Sequence, residues 1–169
     1  ITDSKITKIK EVVSGAWGFR EISGYKNKYI LGSSYNGFFI LEKKGDKWMF
    51  KNHIKGFTEG GGAFEIDEKQ RIWFSHWMKG VFRMTLNSQL DSIVKLEQID
   101  KKFGLPTTRN NSLHKIDNKI VFSTEGGFYE FNKNNEKIES SVFLKGLFGP
   151  QYFSSKLFKS SNGDIWNVS

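Results

Sequence analysis

Short bursts of β-branched and aromatic residues recur along the chain, separated by polar stretches rich in Gly, Asn, Asp and Lys. Four of them correspond: Tyr29-Ile30-Leu31-Gly32, Ile72-Trp73-Phe74-Ser75, Ile120-Val121-Phe122-Ser123 and Ile165-Trp166-Asn167-Val168. Their starts lie 43, 48 and 45 residues apart. The first three lead through a turn to Gly37, Gly80 or Gly127. A second burst follows each glycine: Phe38-Phe39-Ile40-Leu41, Val81-Phe82-Arg83-Met84 and Phe128-Tyr129-Glu130-Phe131. A further strand-like segment and turn precede each of the four runs, at Phe19 to Ile22, Phe64 to Ile66, Leu113 to Ile116 and Leu157-Phe158. Trp48 to Phe50, Ile93 to Leu96 and Lys137 to Val142 close the three complete units.

Each unit therefore predicts four antiparallel strands in roughly 45 residues, the dimensions of a propeller blade. The expected fold is all-β: a fragment of a β-propeller with about three complete four-stranded blades and partial blades at both ends. The expected division is an outer strand of a preceding blade in 1–17, with Ile6 to Val13 as that strand. Blades follow at 18–57, 58–106 and 107–150, and the start of another at 151–169. An opening at Ile1 without methionine and a stop at Ser169, just after a strand begins, fit a piece of a longer protein. A β-sandwich would not repeat one motif this way. Leu86, Leu90, Ile93 and Val94 have helical spacing within Thr85 to Lys102, but the strand pattern is the stronger one there.

The second and third strands of each unit are nearly continuous apolar runs, as strands covered on both faces are. Ile72, Trp73, Phe74, Phe82, Phe122 and Phe128 are accordingly expected in the core. Gly37, Gly80 and Gly127 are expected to hold positive φ. A blade needs a neighbour on each side. Open faces at the ends of the arc would meet the remainder of the same propeller, or a second copy as a homo-oligomer.

Composition agrees. Sixteen Phe, five Trp and five Tyr supply a core, and 17 Gly against two Pro suit short strands and tight turns. The formal charge of +8 could draw a polyanion. The lysines fall mostly in turns and outer strands, so the plain expectation is a solvated surface with no direct nucleic-acid binding. There is no cysteine, which removes disulfides and thiolate metal sites. No apolar run reaches the about 18 residues of a membrane span, and no signal-peptide pattern opens the chain.

The segment Arg71-Ile72-Trp73-Phe74-Ser75-His76-Trp77-Met78-Lys79-Gly80-Val81-Phe82-Arg83 resembles the two-component regulator propeller repeat, with its Gly-Asn-Ile-Trp-Phe-Gly-Thr…Gly-Leu-Tyr-Arg pattern. Asn162-Gly163-Asp164-Ile165-Trp166 is similar to the opening of that repeat, and Ser123-Thr124-Glu125-Gly126-Gly127-Phe128-Tyr129 to its middle. Leu31 and Val121 stand where the repeat has tryptophan. The resemblance implies the extracytoplasmic sensor half of a regulator from Bacteroidetes-type bacteria. It thereby implies that the chain is the periplasmic, extracytoplasmic portion of an inner-membrane protein. A triple-tyrosine β-sandwich, a membrane helix and a histidine kinase or helix-turn-helix output domain follow the propeller. It also implies signal sensing, often of carbohydrate, and transcription regulation.

The candidate chemistry is that of recognition. His53, His76 and His114 have no metal-ligand spacing, and Glu59-Gly60-Gly61-Gly62 lacks the Gly-Lys-Ser/Thr of a phosphate loop. Those glycines instead read as letting the chain turn into a strand. No nucleophile motif or convergent acid pair appears, so no catalytic residue, metal or cofactor is expected. Glu65 and Asp67 flank a hairpin turn and read as solvated. Loops Asn52 to Gly62, Ile99 to Asn111 and Phe143 to Ser154 should share one face with the turns after the second strands. On that face Tyr35, Asn36, His76, Trp77, Lys79, Glu125, Arg109 and Tyr152 are the candidate ligand-binding residues. Trp77 beside His76 could stack on a sugar ring or a partner side chain; the plainer reading folds Trp77 back over the blade edge. The function expected is a non-catalytic sensor module for an oligosaccharide or other small ligand. The alternatives are a propeller enzyme acting on polysaccharide and a pure protein-interaction propeller.

Overall fold

The computed structural model describes residues 13, 15–149 and 156–168. Most of the strand expected at Ile6 to Val13, and Tyr152, lie outside the described residues. The first sheet comprises β1 (Gly18–Ile22), β2 (Tyr29–Ser34), β3 (Gly37–Lys44) and β4 (Lys47–His53). The second comprises β5 (Ala63–Ile66), β6 (Ile72–His76), β7 (Gly80–Leu86) and β8 (Ile93–Ile99). The third comprises β9 (Ser112–Ile116), β10 (Lys119–Thr124), β11 (Gly127–Asn132) and β12 (Lys137–Ser140). A short helix, α1 (Val142–Phe148), leads to a two-stranded sheet of β13 (Lys156–Lys159) and β14 (Ile165–Val168).

Every sheet is an antiparallel meander in chain order. First strands neighbour first strands: β1 lies beside β5, β5 beside β9, and β9 beside β13. Sheets that meet through their first strands and stack through their faces form an arc around an axis. This is a partial propeller, as the repeat predicts.

Three cores fill the gaps between sheets. Leu31, Phe38, Ile40, Phe64, Phe74 and Met84 meet between the first and second. Trp73, Val81, Leu113, Ile120, Phe122 and Ile138 meet between the second and third. Ile116, Val121, Phe128, Leu144 and Leu157 join the third sheet to α1 and β13. Of the six aromatic and aliphatic residues expected in the core, five are buried, and Phe82 packs half-buried against the first cluster.

The turns follow one rule. Gly37, Gly80 and Gly127 hold φ of 93°, 92° and 100°, conformations that glycine adopts without a Cβ penalty. The residue that ends the preceding strand brackets each turn with its side chain. Ser34 Oγ accepts from Asn36 N (3.3 Å) and donates to the Gly37 carbonyl (3.1 Å). Thr124 Oγ1 accepts from Gly126 N (3.1 Å) and donates to the Gly127 carbonyl (3.0 Å). In the second sheet the turn is one residue longer. There His76 Nδ1 takes over, accepting from Met78 N and Lys79 N, both at 3.1 Å.

Three local readings are corrected. The last strand of the third unit ends at Ser140, two residues earlier than its pattern implied. Ser141 then N-caps α1, accepting from Leu144 N at 3.4 Å. A helix thus stands at the start of what reads as a loop from Phe143. It shows little amphipathic pattern, because Leu144 is its only buried residue. Within Thr85 to Lys102 the strand reading holds, as β8, and a 3₁₀ turn at Lys101–Phe103, capped by Asp100, follows it. Asp67 and Glu65 are not solvated. Asp67 is 6% exposed and accepts from Lys69 N, Arg71 N, Arg71 Nε and Trp73 Nε1. Glu65 takes a two-pronged bond from Arg20, at 2.6 and 2.5 Å.

Candidate functional site

The loops entering each first strand and the turns between second and third strands share one face. Asn110 N donates to the Trp77 carbonyl (3.1 Å), and Asn110 Nδ2 donates to Glu125 Oε1 (2.8 Å). Asn110 itself sits at φ 54°, a left-handed conformation that asparagine tolerates better than most residues. One residue therefore ties together the β6–β7 turn, the loop into β9 and the β10–β11 turn.

Beneath this knot lies an open cavity of about 850 Å³, walled by the first strands β5, β9 and β13. Trp77 and Glu125 stand among its lining residues on the loop side, with Lys115, Lys156 and Phe158 on the strand side. Arg20 and Glu65 complete it toward the first sheet. The Glu65 hydrogen bond raises the pKa of Arg20 further and outweighs the burial that opposes its charge. Within the wall, Ser75 Oγ donates to the Asn111 carbonyl and His114 Nδ1 accepts from Leu157 N (3.2 Å). These bonds stitch adjacent sheets along the axis.

The glycine loop is packed, not merely turned. A Cβ at Gly60 would collide with the Tyr35 carbonyl, and one at Gly62 with the Ser75 carbonyl. The backbone approaches both neighbouring sheets too closely for a side chain. Glu59 closes the same loop through an ion pair with Lys79 (2.6 Å).

Of the eight candidate residues, the structure brings Trp77 and Glu125 to the cavity. Trp77 is 63% exposed and lies nearly parallel to His76, centroids 6.2 Å apart. It does not fold back over the blade edge. His76 and Lys79 lie in the same turn, each engaged as above. Tyr35 and Asn36 form the corresponding turn of the first sheet. Tyr35 is 62% exposed and packs edge-on against Trp17 at 4.4 Å. Arg109 is exposed beside Asn110, and Tyr152 lies outside the described residues. Arg20, Lys115, Lys156 and Phe158 were missed. They belong to first strands, and their alternation within those short strands was the only available signal. Among the described residues no group of three or more His, Cys, Asp and Glu is placed to hold a metal ion. No helix there is long and apolar enough to cross a membrane.

No protein-family model matches the chain, and no curated protein matches it. Among solved structures the chain is similar to the extracellular domain assigned to a hybrid two component system from B. thetaiotaomicron. Identity is 16% and the TM-score 0.42, over 90% of this chain and 26% of that one. The chain thus spans about a quarter of that structure's length.

Proposed function

We propose that this arc is a non-catalytic recognition module: a set of propeller blades from the extracytoplasmic sensor region of a bacterial two-component-type or transcriptional regulator. The blade motif supports the regulator part, through its resemblance to the two-component regulator propeller repeat at residues 71–83, 123–129 and 162–166. A downstream output domain would belong to the same polypeptide, and the ligand would be an oligosaccharide or another small cyclic molecule.

The observation that carries the recognition reading is Trp77. A large aromatic side chain with 63% exposure stands at the mouth of a cavity. Its turn is fixed by His76 from below and Asn110 from the side. Pre-set aromatic faces bind rings at low entropic cost. The titratable groups around it are committed to structure: His76 Nδ1 to two amides, Lys79 to Glu59, Glu125 to Asn110. Groups tied in this way orient a face; a general acid or base needs a reachable proton.

A glycan array probed with the 169-residue chain and with Trp77→Ala tests this reading. Binding of a defined set of oligosaccharides, lost in the variant and without hydrolysis or elimination of the bound sugar, is expected. Turnover of a bound glycan would replace the reading with an enzyme. Identical array patterns for the two proteins would remove Trp77 from recognition.

A further inference from the structure

The turns between second and third strands occupy one equivalent position in each sheet, and the loops into the first strands lace them together. The residue that opens the turn is Tyr35 in the first sheet, Trp77 in the second and Glu125 in the third. Asn110 joins the last two. The stretch Gly60 to Gly62 joins the first two, because its ends press on the Tyr35 and Ser75 carbonyls. Three extended residues span at most about 11 Å, so the two turns are close neighbours.

Both rings are exposed, and both are held. Tyr35 is 62% exposed; it packs so tightly on the Gly15 backbone that a Cβ there would collide with the ring, and Trp17 meets it edge-on. Trp77 stacks on His76. Between them Gly61 exposes backbone with no side chain. At the far end Glu125 gives Oε1 to Asn110, while its Oε2 accepts no hydrogen bond among the described residues. The order along the face is ring, bare backbone, ring, carboxylate. A protein partner anchors in a continuous desolvated centre, which this face does not offer. A chain of sugars stacks its rings on aromatic side chains and meets polar groups with its hydroxyls between them.

We propose, on the premise of the recognition reading above, that this face binds a linear oligosaccharide laid across neighbouring blades. One sugar ring lies on Tyr35 and another on Trp77, the chain passes over Gly61, and a hydroxyl beyond Trp77 donates to Glu125 Oε2. Affinity then grows with chain length until both aromatic rings are covered.

Isothermal titration of the 169-residue chain tests this with the disaccharide and hexasaccharide of the cello-, xylo- and malto-oligosaccharide series. In at least one series the hexasaccharide should bind about tenfold more tightly than the disaccharide, since one further stacked ring is worth about that much. Tyr35→Ala should bring the hexasaccharide down to the level of the disaccharide and leave the disaccharide unchanged. Trp77→Ala should weaken both, and the unfolding midpoint should stay put in either variant. A hexasaccharide no tighter than its disaccharide, or one that binds Tyr35→Ala unimpaired, would end this inference and leave the recognition reading standing. No heat from any of the six sugars at millimolar concentration would also end it, and the glycan array alone would then decide the recognition reading.

Discussion

The middle sheet meets its two neighbours through different chemistry. Toward the first sheet the contact is mainly apolar, with aromatic rings among Leu31, Ile40 and Met84 and an ion pair, Arg20 with Glu65, between the first strands. Phe38 packs edge-on against Phe64 (5.2 Å) and Phe74 (5.6 Å), and Phe57 packs edge-on against Phe74 (5.1 Å) and Phe82 (5.6 Å). Toward the third sheet, Trp73 lies against Phe122 (5.8 Å) and Phe131 (4.8 Å), and two arginines cap the rings. Arg83 sits 5.3 Å from the Trp73 centroid and Arg71 5.2 Å from that of Phe131. Carboxylates then hold the arginines. Glu136 accepts from Arg71 (2.7 Å), Arg83 (2.5 Å) and Lys69 (2.9 Å), Glu97 from Arg83 (3.0 Å), and Asp67 from Arg71 (2.7 Å). One repeat thus closes its gaps in two ways. Shape fills the aromatic part of a gap, whereas the Glu136 network needs its partners present, because a lone buried charge is costly.

The contrast can be broken at its strongest point first. Phe74 is fully buried, and Phe74→Ala removes its whole ring from the aromatic gap. A loss of about 3–5 kcal/mol is expected, read as a lower urea midpoint. Acid sensitivity should be unchanged by that variant. Next comes Arg83, 4% exposed and shared between Glu97 and Glu136. Arg83→Ala takes one cationic partner from each of Glu97 and Glu136 and uncovers the Trp73 ring, and should cost about 3 kcal/mol. Arg83→Met in a Glu97→Gln, Glu136→Gln background should recover most of it, because the charges left without a partner, Lys69 and Lys95, are exposed to water.

A third effect concerns pH. Burial opposes ionisation of Glu136, but hydrogen bonds from Lys69 and Arg71 and the charges of Arg71 and Arg83 outweigh it. They bring the carboxyl down from 4.5 to about 2. Its folded pKa lies below its unfolded one, so its stabilisation is complete above pH 4.5 and is lost as pH falls from there toward 2. Glu97 shifts in the same direction: Arg83 and Lys95 overcome its burial. Urea midpoints measured from pH 6 to pH 2.5 should fall in the wild type and fall less steeply in Glu136→Gln. The smallest effect is at the face. Trp77→Ala should change stability by less than about 0.5 kcal/mol, since an exposed residue loses few contacts, and a thermal scan checks it.

The two gaps also differ in how far they can be read from sequence. Phe38, Phe64, Phe74 and Trp73 lie in strands whose apolar runs and 43- to 48-residue spacing announce both strand and burial. The glycines before β3, β7 and β11 mark the turns for the same local reason. The ionic gap joins Asp67 and Arg71 to Glu136, 65 residues beyond Arg71, and no local pattern links them. Asp67 read alone is a turn carboxylate, and its burial follows only once the third sheet covers it. The site divides likewise. Trp77 and Glu125 occupy turns that the repeat itself places on one face. Lys115, Lys156 and Phe158 face the cavity only because first strands converge on an axis. Helix α1 lacked a sequence signal of its own, since its exposed side carries Val142, Phe143 and Leu147.

Amide hydrogen exchange at pH 7 and pH 3, corrected for intrinsic rates, sets the two gaps side by side in one molecule. Protection of β10 and β11 should drop at pH 3, where Glu136 stays ionised in the closed gap but takes up a proton once the gap opens, with β2 and β3 keeping most of theirs. An equal loss across all four strands, or a greater loss in β2 and β3, would contradict an arc held by one aromatic and one ionic gap.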